Sequence, residues 1–357
     1  MIPVTKTFLP PQVVYQAILK QAWDAGWITN RGALVKQLEQ ELCHYLQVPQ
    51  LIATTNGTLP LQIAIKALDL RGEIITTPFS YVATTSSIVW EGCTPVFVDI
   101  HPEYFTIDET KIEAAITPNT TAILATHVYG NPCDVAAIEL IAKKHHLKVI
   151  YDAAHCFGVT YKGQSLFNYG DVSTCSFHAT KLFHTGEGGA LFFKDPALYE
   201  RLFYHHNFGH AGSEAFQGLG INAKMSELQA AMGLAVLPQV SQLIDARRLA
   251  YIQYEERLSS LEVALLQLRP HTQWNYSYCP VIFKSEAQLL KVKQALESAE
   301  IYPRRYFYPS LDTLPYLEGS SCPIARSIAT RVLCLPLYHD LKRSSIDQIC
   351  DLIKAQL

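Results

Sequence analysis

From Leu51 to Phe193 short apolar, β-branched runs alternate with stretches of helical pattern, and this alternation restricts the fold more than any other feature of the chain. Leu51-Ile-Ala-Thr-Thr55 is strand-like and stops at Asn56-Gly57, after which Thr58 to Leu68 reads as a helix. Glu73-Ile-Ile-Thr-Thr77 is a second strand, closed by Pro78. Val96–Asp99, Ala122–Thr126 and Lys148–Asp152 follow, with a helical stretch from Val135 to His146 between the last two. Val172–Phe177 and Ala190–Phe193 complete the series. Continuous apolar strands separated by helices predict a mainly parallel sheet buried on both faces, an α/β architecture. In such sheets function gathers at the carboxyl ends of the strands.

The remainder of the chain has a different rhythm. Ala223 to about Gln267 reads as helical, interrupted at Pro238, and a longer helix runs through Arg247, Arg248 and Tyr254. Beyond it, Tyr278–Phe283 is strand-like, and Glu286–Ala299 and Ser345–Leu357 are helical. A length of 357 residues exceeds what one small core needs. The expectation is a large domain over residues 1–237 and a smaller α+β domain over 238–357, joined inside helical sequence without a flexible linker.

Charge and cysteine usage narrow the function classes. The net charge is −3 with no Lys/Arg block, which argues against nucleic-acid or anionic-membrane partners. Nine scattered cysteines contain no Cys-x-x-Cys pair, so they read as reduced, buried thiols and no metal site is expected. Neither a signal-peptide core near Met1 nor an apolar run of membrane-spanning length is present, and the expected location is cytoplasmic.

Within this frame, Ser176-Phe-His-Ala-Thr-Lys-Leu-Phe-His-Thr-Gly-Glu-Gly-Gly189 sets a lone lysine, Lys181, on a glycine-rich loop between two strands. Burial there would lower its pKa and make it an amine nucleophile; the plain alternative is a surface lysine in a turn. Asp152-Ala-Ala-His155 directly follows a strand, so its carboxylate faces the same crevice. An aspartate in that place is also a common helix cap. Asn56-Gly57-Thr58 joins a strand to a helix whose N-terminus suits a phosphate, and Ser176 can add a hydroxyl to the same anion. Pro78-Phe-Ser-Tyr81 presents Tyr81 or Phe79 as a platform for a flat ring, or as packing. Asn222 precedes a helix and reads by itself as a cap. A lysine, an acid, a phosphate-type turn and an aromatic thus meet at the ends of successive strands.

As a set, these residues resemble the pyridoxal-phosphate (PLP) aminotransferases that act on nucleotide-linked keto sugars. The likeness spans nearly the whole chain, including Trp27-Ile-Thr-Asn-Arg-Gly32, Thr94–Asp99, His127-Val-Tyr-Gly130 and Gly220–Gln229. It implies the type I PLP-transferase fold and a homodimer with sites at the interface. By resemblance Lys181 forms the Schiff base and shuttles the proton, Asp152 pairs with the pyridine nitrogen, and His155 lies near the ring oxygen. Tyr81 stacks on the ring; Gly57, Thr58 and Ser176 hold the phosphate; Asn222 reaches the phosphate of the neighbouring subunit. Thr29, Asn30, Arg304, Tyr306 and Phe307 fall on substrate-side elements, although many relatives have His-Tyr where this chain has Tyr306-Phe307. The implied reaction moves an amino group from L-glutamate to C4 of dTDP-4-keto-6-deoxyglucose, for O-antigen and related surface glycans, with C3 amination as the alternative. Dehydratases of the same fold carry histidine in place of the lysine, and Lys181 argues against them. A non-catalytic protein on this fold would be expected to lose Asp152 or Lys181.

Overall fold

The computed structural model describes residues 1–317 and 321–357. Its centre is a seven-stranded sheet: β1 (Gln50–Thr54), β2 (Glu73–Thr76), β3 (Thr94–Phe97), β4 (Thr120–Thr126), β5 (Lys148–Asp152), β6 (Val172–Ser176) and β7 (Gly189–Phe193). The spatial order is β1-β7-β6-β5-β4-β2-β3. All neighbours are parallel except β7, which is antiparallel to both β6 and β1. Every residue of β7 is buried, as a strand covered on both faces requires.

Helices cover the two faces. α1 (Gln12–Ala25) and α2 (Ala33–Leu46) precede the sheet, α3 (Leu59–Ala67) follows β1, and α4 (Val82–Trp90) follows β2. Next come α5 (Val135–His145), α6 (Leu198–His206), α7 (Glu227–Val236) and α8 (Val240–Leu258). One apolar layer joins α2, α7 and residues of the C-terminal region; the other packs α3 and Leu202 of α6 against Ile52, Ile74, Leu124 and Ile150. On α2 the buried positions Leu34, Val35, Leu38, Leu42 and Leu46 recur at helical spacing and lie against α7. α1 buries only Ala22.

The C-terminal region builds a small three-stranded sheet from Ala264–Leu265, Pro280–Ile282 and Val332–Cys334. α9 (Glu286–Ser298), α10 (Pro323–Arg331) and α11 (Arg343–Lys354) pack around it. The helical expectation reaching to Gln267 is corrected: α8 stops at Leu258, and Ala264–Leu265 pairs instead with Val281–Ile282. The edge of this sheet recruits the segment, and ladder pairing overrides the local helical pattern. Two short pairings tie the first and C-terminal regions together. Ile2–Pro3 pairs in parallel with Ile301–Tyr302, and Thr272–Gln273 pairs with Thr160–Tyr161 of the first region.

Candidate active site

β4, β5 and β6 run parallel, so Thr126, Asp152 and Ser176 end at one edge of the sheet. Asp152 is buried as the last residue of β5. One carboxylate oxygen accepts the hydroxyl of Thr84 at 2.6 Å, and the other accepts the N–H of Ala154 at 3.1 Å. Thr84 is in turn 2.7 Å from Ser80, whose hydroxyl is 3.0 Å from Thr126. Burial pushes the Asp152 carboxyl above the usual carboxylate range, while these two donors and the charge of Lys181 pull it back.

Lys181 lies in the loop that turns β6 back into β7. Short local bonds fix this loop: Lys181 N–H donates to His178 O at 2.8 Å, and Ala179 N–H to Gly186 O at 2.7 Å. Burial lowers the Lys181 pKa, and the Asp152 charge opposes the shift. Its amine lies 3.2 Å from the hydroxyl of Tyr278. A crevice lined by Ala154, His155, Ser176, Lys181 and Tyr278 opens beside it.

His155 is buried, which holds its imidazole well below the ordinary range and therefore neutral. Nδ1 accepts the Tyr129 N–H at 3.0 Å, so the ring hydrogen sits on Nε2. Phe307 stacks on His155 (5.6 Å, 7°) and Tyr129 (5.9 Å, 13°), and Tyr129 donates its hydroxyl to Tyr306 O.

The turn after β1 abuts Ser176. A Cβ at position 57 would stand 2.5 Å from the Ser176 Cβ and 2.7 Å from its Oγ, so only glycine fits. The Asn56 side chain accepts the N–H groups of Thr58 and Leu59 at 2.9 and 3.0 Å. The N–H of Gly57 and the hydroxyls of Thr58 and Ser176 remain suited to an anion at the start of α3.

Other sequence-derived positions are spread more widely. Tyr81 is the N-cap residue of α4, is 54% exposed, and tilts against Phe307 at 6.5 Å. Arg304 is exposed with its guanidinium 4.7 Å from the Tyr306 ring, whereas Phe307 is buried. Thr29 and Asn30 are exposed in the turn before α2. Asn222 is exposed and accepts the Lys224 amine at 2.7 Å. Among the described residues no hydrogen bond links Thr29, Asn30 or Asn222 to Asp152 or Lys181. Sequence reasoning gave no role to Thr84 or Tyr278. Thr84 stands one helical turn beyond Tyr81, a spacing that places it at the same end of α4. Tyr278 carries no comparable signal, being 97 residues from Lys181.

The model of the DegT/DnrJ/EryC1/StrS aminotransferase family matches residues 14–354. The chain belongs to this family. Like other members it is a PLP-dependent aminotransferase, and the buried acid, the recessed lysine and the glycine-only approach to Ser176 fit that cofactor. Among its relatives is the dTDP-4-amino-4,6-dideoxy-D-glucose transaminase of Shigella dysenteriae, 40% identical over 98% of both chains. The Escherichia coli protein of the same name is 37% identical over 100% of this chain and 99% of its own. The solved structure of DesI in the presence of its TDP-sugar product is 32% identical, with a TM-score of 0.94 over 99% of this chain and 92% of that one. Fold and family therefore agree with the α/β type I reading.

Proposed function

We propose that this aminotransferase moves the amino group of L-glutamate to C4 of a nucleotide-linked 4-keto-6-deoxy hexose, dTDP-4-keto-6-deoxy-D-glucose, in the cytoplasm, supplying amino sugars for O-antigen and related surface polysaccharides. The observation that carries this reading is full-length similarity to two proteins named as transaminases of a 4-amino-4,6-dideoxy sugar on dTDP. The C3 alternative has less support, since both names place the nitrogen at C4.

When bound, PLP would supply an acceptor for the amino group and a ring that delocalises the electron pair left at carbon after deprotonation. Asp152, braced by Thr84 and the Ala154 N–H, would hold a proton on the pyridine nitrogen. Lys181 would be the residue that holds the cofactor covalently, and its amine, with a pKa lowered by burial, would be the base that moves the proton. His155, neutral with its hydrogen on Nε2, offers a donor to the ring oxygen. Gly57, Thr58 and Ser176 would receive the phosphate, and Tyr81 would cover the ring.

A homodimer completes the site in this reading. Asn222 is exposed near Phe208, Phe216, Leu219 and Ile221, and Thr29 and Asn30 adjoin Trp23, Trp27 and Ile28; all seven apolar side chains are exposed in the single chain. Apolar exposure on that scale suits a protein–protein surface. Asn222 then reaches the neighbouring phosphate, and Thr29, Asn30, Arg304, Tyr306 and Phe307 border the sugar nucleotide.

The deciding experiment incubates the enzyme with L-glutamate and, separately, dTDP-4-keto- and dTDP-3-keto-6-deoxy sugars, and locates the amine by NMR. Nitrogen at C4 is expected; product from the 3-keto substrate alone would overturn the assignment. Lys181→Ala is expected to abolish turnover and the visible absorption of the wild-type holoenzyme.

A further inference from the structure

The Lys181 amine has a polar neighbour from the C-terminal region, the Tyr278 hydroxyl at 3.2 Å, with the Tyr278 ring centroid 5.8 Å away. Tyr278 is held from several directions. Its ring packs edge-on against His155 (4.7 Å, 63°) and Tyr306 (5.6 Å, 86°). The preceding residue is pinned on both sides, because Ser277 N–H donates to the Asn275 side chain at 3.1 Å and Ser277 O accepts from Arg247 at 3.2 Å. Asn275 donates to His155 O at 2.8 Å and Phe157 O at 2.9 Å, so Tyr278 is registered against the strand-end segment that begins at Asp152. Arg247 is buried and also donates to Leu337 O at 3.1 Å. Among the described residues it forms no ion pair with a carboxylate.

We infer that Tyr278 is a positioning residue for the Lys181 amine: its hydroxyl holds Nζ beside His155 whenever the amine is free, and favours the ammonium over the neutral amine. This rests on Lys181 being the residue that anchors PLP and carries the proton. The preference follows from hydrogen-bond strength, since an ammonium donating to an oxygen makes a charge-assisted bond about twice as strong as a neutral one. Burial pushes the Tyr278 phenol up, so it stays protonated and can also donate to the neutral amine. The charged groups around the pair are Asp152, Arg247 and Arg304. Burial keeps Tyr129, His155, Cys175, Tyr306 and Cys334 neutral, and Tyr81 faces the amine from α4.

Tyr278→Phe keeps the ring packing and removes the hydroxyl alone. In the pyridoxamine-phosphate form of the holoenzyme the lysine amine is free, and its labelling by an amine-reactive reagent across pH, read at Lys181 by mass spectrometry, reports its protonation. The labelling midpoint is expected to fall by about half a pH unit or more in Tyr278→Phe. With it, kcat should drop roughly tenfold while the KM for L-glutamate stays within about twofold. An unchanged midpoint overturns the inference. If Tyr278→Phe does not retain cofactor, 3-fluorotyrosine at position 278 keeps ring and hydroxyl while weakening the oxygen as acceptor. It must move the midpoint in the same direction, and no movement again overturns the proposal. The parent reading is tested separately in wild-type protein, where Lys181 should be protected in the pyridoxal form and labelled in the pyridoxamine form.

Discussion

At the scale of single residues, the site depends on which form of Asp152 its partners favour. The Thr84 hydroxyl at 2.6 Å and the Ala154 N–H stabilise the carboxylate against a burial cost that favours the neutral acid. Thr84→Val removes one of these donors without changing volume much. Losing a hydrogen bond to a charged group costs about 1.5–3 kcal/mol, so kcat should fall roughly ten- to hundredfold with cofactor still bound. Asp152→Asn is expected to cost more rate again while retaining the cofactor, and steady-state kinetics beside an absorption spectrum check both variants. Asp152 and Lys181 stood out in the sequence because one ends a strand and is followed by two alanines, and the other is a lone lysine on the glycine-rich loop between two strands. Thr84 and Tyr278 were not, because their importance comes from partners in other segments. Thr84 meets a carboxylate at the end of β5, and Tyr278 arrives from beyond α8. No local pattern encodes such meetings.

At the scale of elements, the first turn of α7 ties three parts of the site together. Ser226 and Gln229 form a capping box, and the Gln229 amide also donates to Thr55 O (3.1 Å), ahead of the Gly57 turn, and to Glu187 O (2.7 Å), in the lysine loop. The buried Glu227 carboxylate accepts Leu34 N–H at 2.7 Å and Val35 N–H at 3.3 Å, capping α2 from another helix and fixing the turn that carries Thr29 and Asn30. Glu227→Ala should lower stability by roughly 2 kcal/mol, read by urea unfolding, and raise the KM of the sugar nucleotide more than it lowers kcat. Gly57→Ala should weaken PLP binding about tenfold or more, read by titration of cofactor-free protein, because its Cβ cannot sit 2.5 Å from Ser176. The strands were legible because apolar β-branched runs bounded by Gly, Pro or Asn have few other readings. α2 carried an equally regular pattern that was not read, and α1 has little apolar periodicity to show, since it buries only Ala22. The helix expected to reach Gln267 failed because pairing across a sheet edge is a tertiary fact.

At the scale of the whole molecule, burial of histidines sets the response to acid. Burial lowers His127 to about 3 and His206 to about 4. Both bind protons more readily when unfolded, so their stabilising effect is complete above pH 6.5 and is lost as pH falls toward the folded values. Each should cost about 1.6 kcal/mol between pH 6.5 and 5, seen as a falling urea midpoint, and His127→Gln should flatten that slope. The antiparallel placement of β7 has a further consequence for the order of folding. The lysine loop closes between two strands that neighbour each other in sequence, so it can form early and locally. The Gly57 turn is brought to it only when Thr54 pairs with Gly189, a contact between distant parts of the chain that requires the intervening crossovers to be in place. Competence to capture cofactor is therefore a late event, and during refolding from urea the visible absorption should return with the slowest phase rather than with the recovery of helix.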